Sequence, residues 1–87
     1  MAKLSVIVPA YNAETTLRTA VESILSQQVP GLEIIIVNDG STDATDKICH
    51  ALASENQCIH VITQKNAGIC AARNRGLEAA SGEFLTF

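Results

Sequence analysis

The stretch Leu32-Glu33-Ile34-Ile35-Ile36-Val37-Asn38-Asp39-Gly40-Ser41-Thr42-Asp43 decides the fold of this 87-residue chain. Its first half is apolar almost without interruption, where a half-buried strand would alternate. A short continuous run of Ile and Val reads as a strand covered on both faces, the signature of a parallel sheet. Its second half switches abruptly to small polar residues around Gly40, which marks the exit from that strand. Three more short apolar runs lie outward from it: Leu4 to Val8, Ile59 to Ile62 and Phe84 to Phe87. The third run in chain order carries His60 and reads as an edge strand.

Helical periodicity fills the intervals. Leu17, Ala20, Val21, Ile24 and Leu25 share one face at 3.6-residue spacing, with Arg18, Glu22 and Ser26 opposite. Asn12 is placed to cap this helix, Glu14 to favour its positive end, and Pro30-Gly31 to stop it. A second helix is predicted from about Asp43 to Ala53, burying Ile48, Ala51 and Leu52 and capped by Ser41, Thr42 or Asp43. A third is predicted from about Ile69 to Ala80; its small residues Ala71, Ala72, Gly76 and Ala79 suit close packing on a sheet. The order βαβαβαβ predicts an α/β fold with a parallel, Rossmann-like sheet in a three-layer αβα sandwich. The fourth run stops at Phe87 with no turn or helix after it, so a domain truncated after its fourth strand is expected, spanning residues 1–87.

Composition narrows the function classes. Apolar residues make up 47% and charged residues 17%, a globular balance. The formal charge of −3 supplies no basic footprint, so a nucleic-acid partner is not expected. No apolar run approaches the roughly 20 residues that span a bilayer, and the N-terminus lacks the pattern of a secretory signal. Cys49, Cys58 and Cys70 are an odd set without close pairing, and with only His50 and His60 to help they do not resemble a structural zinc site. Reduced thiols and a cytoplasmic location are the expectation, for a parent that associates with the cytoplasmic face of a membrane if it is membrane-bound at all.

In an open parallel sheet, ligands bind beyond the carboxyl ends of the strands. Three segments occupy such ends: Pro9-Ala10-Tyr11-Asn12, Asn38 to Asp43, and Gln64-Lys65-Asn66-Ala67-Gly68. Neither the dinucleotide GxGxxG nor the GxxxxGK[ST] phosphate loop occurs. Asp39 follows a buried strand and can accept from a base such as the N3–H of uracil; alternatively it helps cap the next helix, the role to which Asp43 is assigned. Tyr11, the only tyrosine, can stack on a base or pack as core. Arg73 and Arg75 begin the third helix, where an anion or a base carbonyl would suit them; Arg75 reads as solvated.

Four segments in order resemble the start of a family 2 glycosyltransferase of the GT-A fold. They are Val6-Ile7-Val8-Pro9-Ala10-Tyr11-Asn12, Ile35 to Asp43, Asn66 to Gly76, and Gly82-Glu83-Phe84-Leu85-Thr86-Phe87. The resemblance covers nearly the whole chain. It implies a nucleoside-diphosphate sugar as donor, most often a uridine one, with Pro9, Ala10 and Tyr11 lining the base pocket. It also implies that Asp39 contacts the uracil, that Asn66, Gly68 and Arg73 face the donor, and that Glu14 approaches the nucleoside. By the same resemblance, the metal-binding carboxylates follow just after Phe87, and the general base and the acceptor site lie further on. The complete enzyme would therefore use Mg²⁺ or Mn²⁺ and transfer the sugar, with inversion, to a hydroxyl of a glycan, lipid or other acceptor. The 87 residues alone are expected to bind no metal through their own groups, to be inactive, and to leave a last strand open to self-association.

Two rival classes remain at this stage. A sugar-nucleotide-forming nucleotidyltransferase needs a Gly-rich basic loop after strand one, which Tyr11-Asn12-Ala13-Glu14 is not. A non-catalytic nucleotide-binding or assembly module, for example receiver-like, would show an acidic pair where Pro9-Ala10-Tyr11 stands.

Overall fold

A computed structural model describes residues 4–86. Seven elements alternate: β1 (Leu4–Ala10), α1 (Leu17–Leu25), β2 (Leu32–Asp39), α2 (Thr45–Glu55), β3 (Ile59–Gln64), α3 (Ile69–Ala79) and β4 (Glu83–Thr86). The strands form one parallel sheet in the order β3-β2-β1-β4. The expected βαβαβαβ order and the edge position of the His60 strand are both found. Phe87, assigned to the fourth strand, lies outside the described residues.

Strand alternation sorts the core into two layers. Val6 and Val8 of β1 and Ile34 and Ile36 of β2 pack with Leu17, Val21, Cys49 and Leu52, so α1 and α2 cover one face. Ile35 and Val37 pack with Ala72 of α3, and Gly76 lies against Ile7, so α3 covers the other. Because both faces of β2 are covered, none of its residues from Ile34 to Asp39 is more than slightly exposed. That is the physical reason for the uninterrupted apolar run. Arg18 further ties α1 to α2 through two 3.0 Å contacts with the Glu55 carboxylate.

The helix starts differ from expectation. α1 begins at Leu17 with Thr16 before it, so Asn12 does not cap it and Glu14 is not in its first turn. Asn12 instead adopts a left-handed φ of 47° and bonds to the loop after β2. α1 also ends at Leu25, well before Pro30-Gly31, and the turn between uses a second left-handed residue, Gln28 at φ 52°. α2 starts at Thr45 rather than Asp43 and buries Thr45 and Cys49 alongside Leu52; Ile48 and Ala51 are only half-buried. Burial pushes the Cys49 thiol up to about 11, which leaves it protonated at neutral pH.

Candidate nucleoside site at the strand ends

The site follows from the alternation within β2. Asp39 is two residues beyond Val37 and so lies on the α3 face, while Asn38 falls on the α1/α2 face with Ile36. Asn38 accordingly donates to Asp46 of α2 at 3.2 Å and accepts from the Ser41 amide at 3.2 Å. Asp39 turns to the loop between β3 and α3. Its Oδ1 accepts from Gln64 Nε2 and from the Ala67 N–H, both at 2.9 Å. Its Oδ2 accepts from the Gly68 N–H at 3.0 Å and from Asn66 Nδ2 at 3.4 Å. The Gln64 amide, followed by the Ala67 and Gly68 N–H groups, holds the Asp39 carboxyl below its ordinary range against the opposing effect of burial. At neutral pH this is an ionised carboxylate only 3% exposed, with every acceptor direction met from within the chain.

Two glycines permit that close approach. Gly40 has φ 72°, and a Cβ there would stand 2.6 Å from the Asn66 nitrogen. Gly68 has φ 94°, a backbone that side chains with a Cβ resist. The result is a cavity of about 330 Å³, open to solvent and lined by Pro9, Ala10, Tyr11, Asp39, Asn66, Gly68, Ile69 and Ala72. The volume is within the span of small-ligand pockets. Tyr11 and Ile69 are the exposed apolar walls, at 53% and 57%. An aromatic wall, a buried anion and a side-chain amide together suit a flat ring carrying hydrogen-bonding edges.

Six residues expected at the site thus meet at one cavity: Pro9, Ala10, Tyr11, Asp39, Asn66 and Gly68. Two expected residues, Glu14 and Arg73, do not line it. Glu14 is exposed, and its N–H donates to Asp43 Oδ2 at 3.3 Å. Arg73 is half-buried on α3, and its Nε has no hydrogen-bond partner among the described residues. Asp43, assigned as a cap, accepts from both the Thr45 N–H and the Thr45 hydroxyl at the start of α2. It also bridges back to the loop after β1, a second task that local sequence does not reveal.

Sequence reasoning placed Gln64 in a strand-end segment without giving it a role, and missed Ile69 and Ala72. Gln64 is the register partner of Asp39, so extending the third strand by two residues would have found it. Ile69 and Ala72 share a helix face at i, i+3 spacing, but nothing local says that this face meets a cavity. Among the described residues no group of three or more His, Cys, Asp or Glu side chains converges as a cation site. The residues present therefore do not fit a metal, and no step is routed through one.

The family model described as glycosyl transferase family 2 matches residues 5–87. This chain belongs to that family. A relative, glycosyltransferase GlyA of Streptococcus pneumoniae, is 48% identical over 85 residues, which cover 98% of this chain and 12% of that protein. The crystal structure of Staphylococcus aureus TarS 1-349 in complex with UDP superposes with a TM-score of 0.84 at 33% identity, covering 97% of this chain and 27% of that one. The mannosyltransferase PcManGT from Pyrobaculum calidifontis, in complex with GDP-Man and Mn²⁺, superposes with a TM-score of 0.84 at 26% identity, covering 91% and 24%. The sheet is accordingly the amino-terminal half of a GT-A fold, and the chain spans a quarter or less of most of these relatives.

Proposed function

We propose that residues 1–87 form the nucleoside-binding part of a glycosyltransferase that takes a nucleoside-diphosphate sugar, a uridine one, and transfers the sugar with inversion to a hydroxyl acceptor. The carrying observation is the cavity itself: the Tyr11 ring, the buried Asp39 carboxylate and the Asn66 amide line one space of nucleobase scale. The longest of the contacts to the Asp39 carboxylate is Asn66 Nδ2 to Oδ2, at 3.4 Å. It is the contact a uracil N3–H would replace, leaving Asn66 Nδ2 on the Asp39 backbone carbonyl at 3.1 Å and freeing its other N–H to donate to a neighbouring base carbonyl. Tyr11 stacks on the ring, while Pro9 and Ala10 form the floor and Gly68 keeps the loop backbone close. Glu14 and Arg73 enter the proposal outside the cavity, Arg73 as a cation one helical turn beyond Ile69 that meets the donor once it is bound. TarS in complex with UDP supports the uridine part of this reading, and PcManGT in complex with GDP-Man supports the wider class of nucleoside-diphosphate sugars. In the complete enzyme Mg²⁺ or Mn²⁺ would offset charge on the leaving diphosphate, held by carboxylates outside these residues. A cytoplasmic site of action and a glycan or lipid acceptor belong to the same proposal. No described helix is long and apolar enough to cross a membrane.

The test is NMR titration of the chain with UDP and CDP. Amides of Tyr11, Asp39 and Gly68 should shift first, with UDP bound about tenfold tighter than CDP, because cytosine carries an acceptor where uracil carries N3–H. Asp39→Asn should erase that preference while UDP still binds weakly. Equal affinity for the two nucleotides in the unaltered chain would reduce Asp39 to a loop clamp.

A further inference from the structure

Tyr11 projects into solvent on one side and into the cavity on the other, and its side chain makes no hydrogen bond among the described residues. Its placement therefore depends on the backbone at either side of it. On the amino side, Ala10 is held by its sheet pairing with Asn38. On the carboxyl side the chain leaves the sheet at Asn12, at φ 47°, a left-handed conformation that asparagine tolerates better than most residues. There Asn12 is bonded in both directions to the loop after β2. Its N–H donates to Ser41 Oγ at 3.0 Å, and its Oδ1 accepts from the Thr42 N–H at 2.8 Å and the Thr42 hydroxyl at 3.4 Å. Just beyond, the Ala13 N–H donates to Thr45 Oγ1 at 2.8 Å and the Glu14 N–H to Asp43 Oδ2. The loop reached by Asn12 is the one that begins with Asp39 and Gly40.

We infer that Asn12 is a positioning residue for the nucleoside cavity: by clasping Ser41 and Thr42 from a left-handed backbone, it holds the Tyr11 ring opposite Asp39. This rests on the nucleoside reading of the cavity for its consequence in binding, but not for its consequence in Tyr11 geometry. The helix-cap role suggested by local sequence does not compete with it, since α1 starts five residues later. Of the two features, the left-handed backbone sets the direction in which the chain leaves Tyr11. The Oδ1 acceptor makes that direction specific to the Asp39 loop.

The experiment uses the single tyrosine and the absence of tryptophan in this chain. Incorporated 3-fluorotyrosine places one ¹⁹F label, at position 11. Spectra and UDP titrations are recorded for the unaltered chain, Asn12→Ala, Asn12→Gly and Asn12→Asp, each well below its own unfolding midpoint. Glycine keeps the left-handed backbone accessible and so folds even if alanine is strained there. Aspartate keeps both that backbone and the acceptor, and moderate salt screens its added charge. The expected result is a resonance displaced toward the free amino acid in the Ala and Gly variants and near its original position in the Asp variant. UDP binding should weaken about five- to tenfold in the first two and be largely restored in the third. A ¹⁹F resonance unmoved in both Asn12→Ala and Asn12→Gly would overturn the inference. So would an Asp variant as displaced and as weak as the Ala variant. If the unaltered chain binds no UDP, the nucleoside reading fails, and the resonance comparison alone still decides whether Asn12 positions Tyr11.

Discussion

Asn38 and Asp39 are neighbours in the chain and opposites in the structure, because strand alternation sends one to α2 and the other to the cavity. The same rule explains a second, half-buried carboxylate, Glu33, six residues earlier on the α3 face. It accepts from Ser5 Oγ at 2.7 Å, from the Ser81 N–H and hydroxyl at 3.2 Å each, and lies 3.6 Å from His60 Nε2. Ser5 Oγ in turn accepts from the Gly82 N–H, so the group ties the entry of β4 to β1 and β2. The Ser5 hydroxyl, then the Ser81 donors, hold the Glu33 carboxyl below its ordinary value of 4.5. A carboxyl lowered in the folded state stabilises above its unfolded pKa and loses that contribution as pH falls through the folded value. Glu33→Gln should therefore cost about 1–2 kcal/mol near pH 6 and make the decline in stability below about pH 4.5 shallower. Urea denaturation at pH 6, 4.5 and 3 checks both; an acid slope identical to that of the unaltered chain would remove Glu33 from the account. In the sequence Glu33 is one polar residue inside an apolar run, and nothing local marks its partners, because Ser81 lies 48 residues away.

At the scale of elements, α3 is the helix whose composition was most informative. A stripe of small residues was expected to bring it close to the sheet, and Ala72 and Gly76 are its buried positions. A Cβ added to Gly76 would overlap Ile7, a β-branched side chain with no exposed surface and few alternative rotamers. Gly76→Ala gains about 1 kcal/mol in helix propensity but meets an overpacking cost of about 1–3 kcal/mol. The net expectation is a lower denaturation midpoint. In an Ile7→Ala background the same substitution should become neutral or stabilising, because the overlap is gone. Additive effects of the two changes would show that α3 can lift away freely. Helix starts were the least legible feature. Asn12 and Asp43 both have the chemistry of caps; Asn12 spends it entirely on the loop about 30 residues away, while Asp43 divides it between Thr45 at the start of α2 and the Glu14 N–H across the loops.

For the whole molecule, sheet order sets which parts open together. β1 and β2 are central, each flanked by strands on both sides, whereas among the described residues β3 has one partner strand, β2. Backbone amides of Ile7, Ile34 and Ile36 should exchange only through global opening. Those of β3 that do not face β2 should exchange orders of magnitude faster. Hydrogen-exchange NMR of the chain at low concentration checks this. If β3 exchanges as slowly as β2, its edge is covered, and a concentration series then reports whether a second copy covers it.

The alternation of short Ile- and Val-rich runs with amphipathic stretches was enough, by itself, to determine the parallel α/β layering. A fully covered strand and a half-covered helix bury different residue periods. It also placed Pro9, Ala10, Tyr11, Asp39, Asn66 and Gly68 at strand ends, where a parallel sheet presents its ligands. Tertiary structure alone decided the rest. Only the register of β2 on β3 sets Gln64 beside Asp39, and only the meeting of two loops turns Asn12 from a cap into a clasp. These contacts join residues 25 to 30 positions apart, and a hydrogen bond at such separation leaves no local period in the sequence.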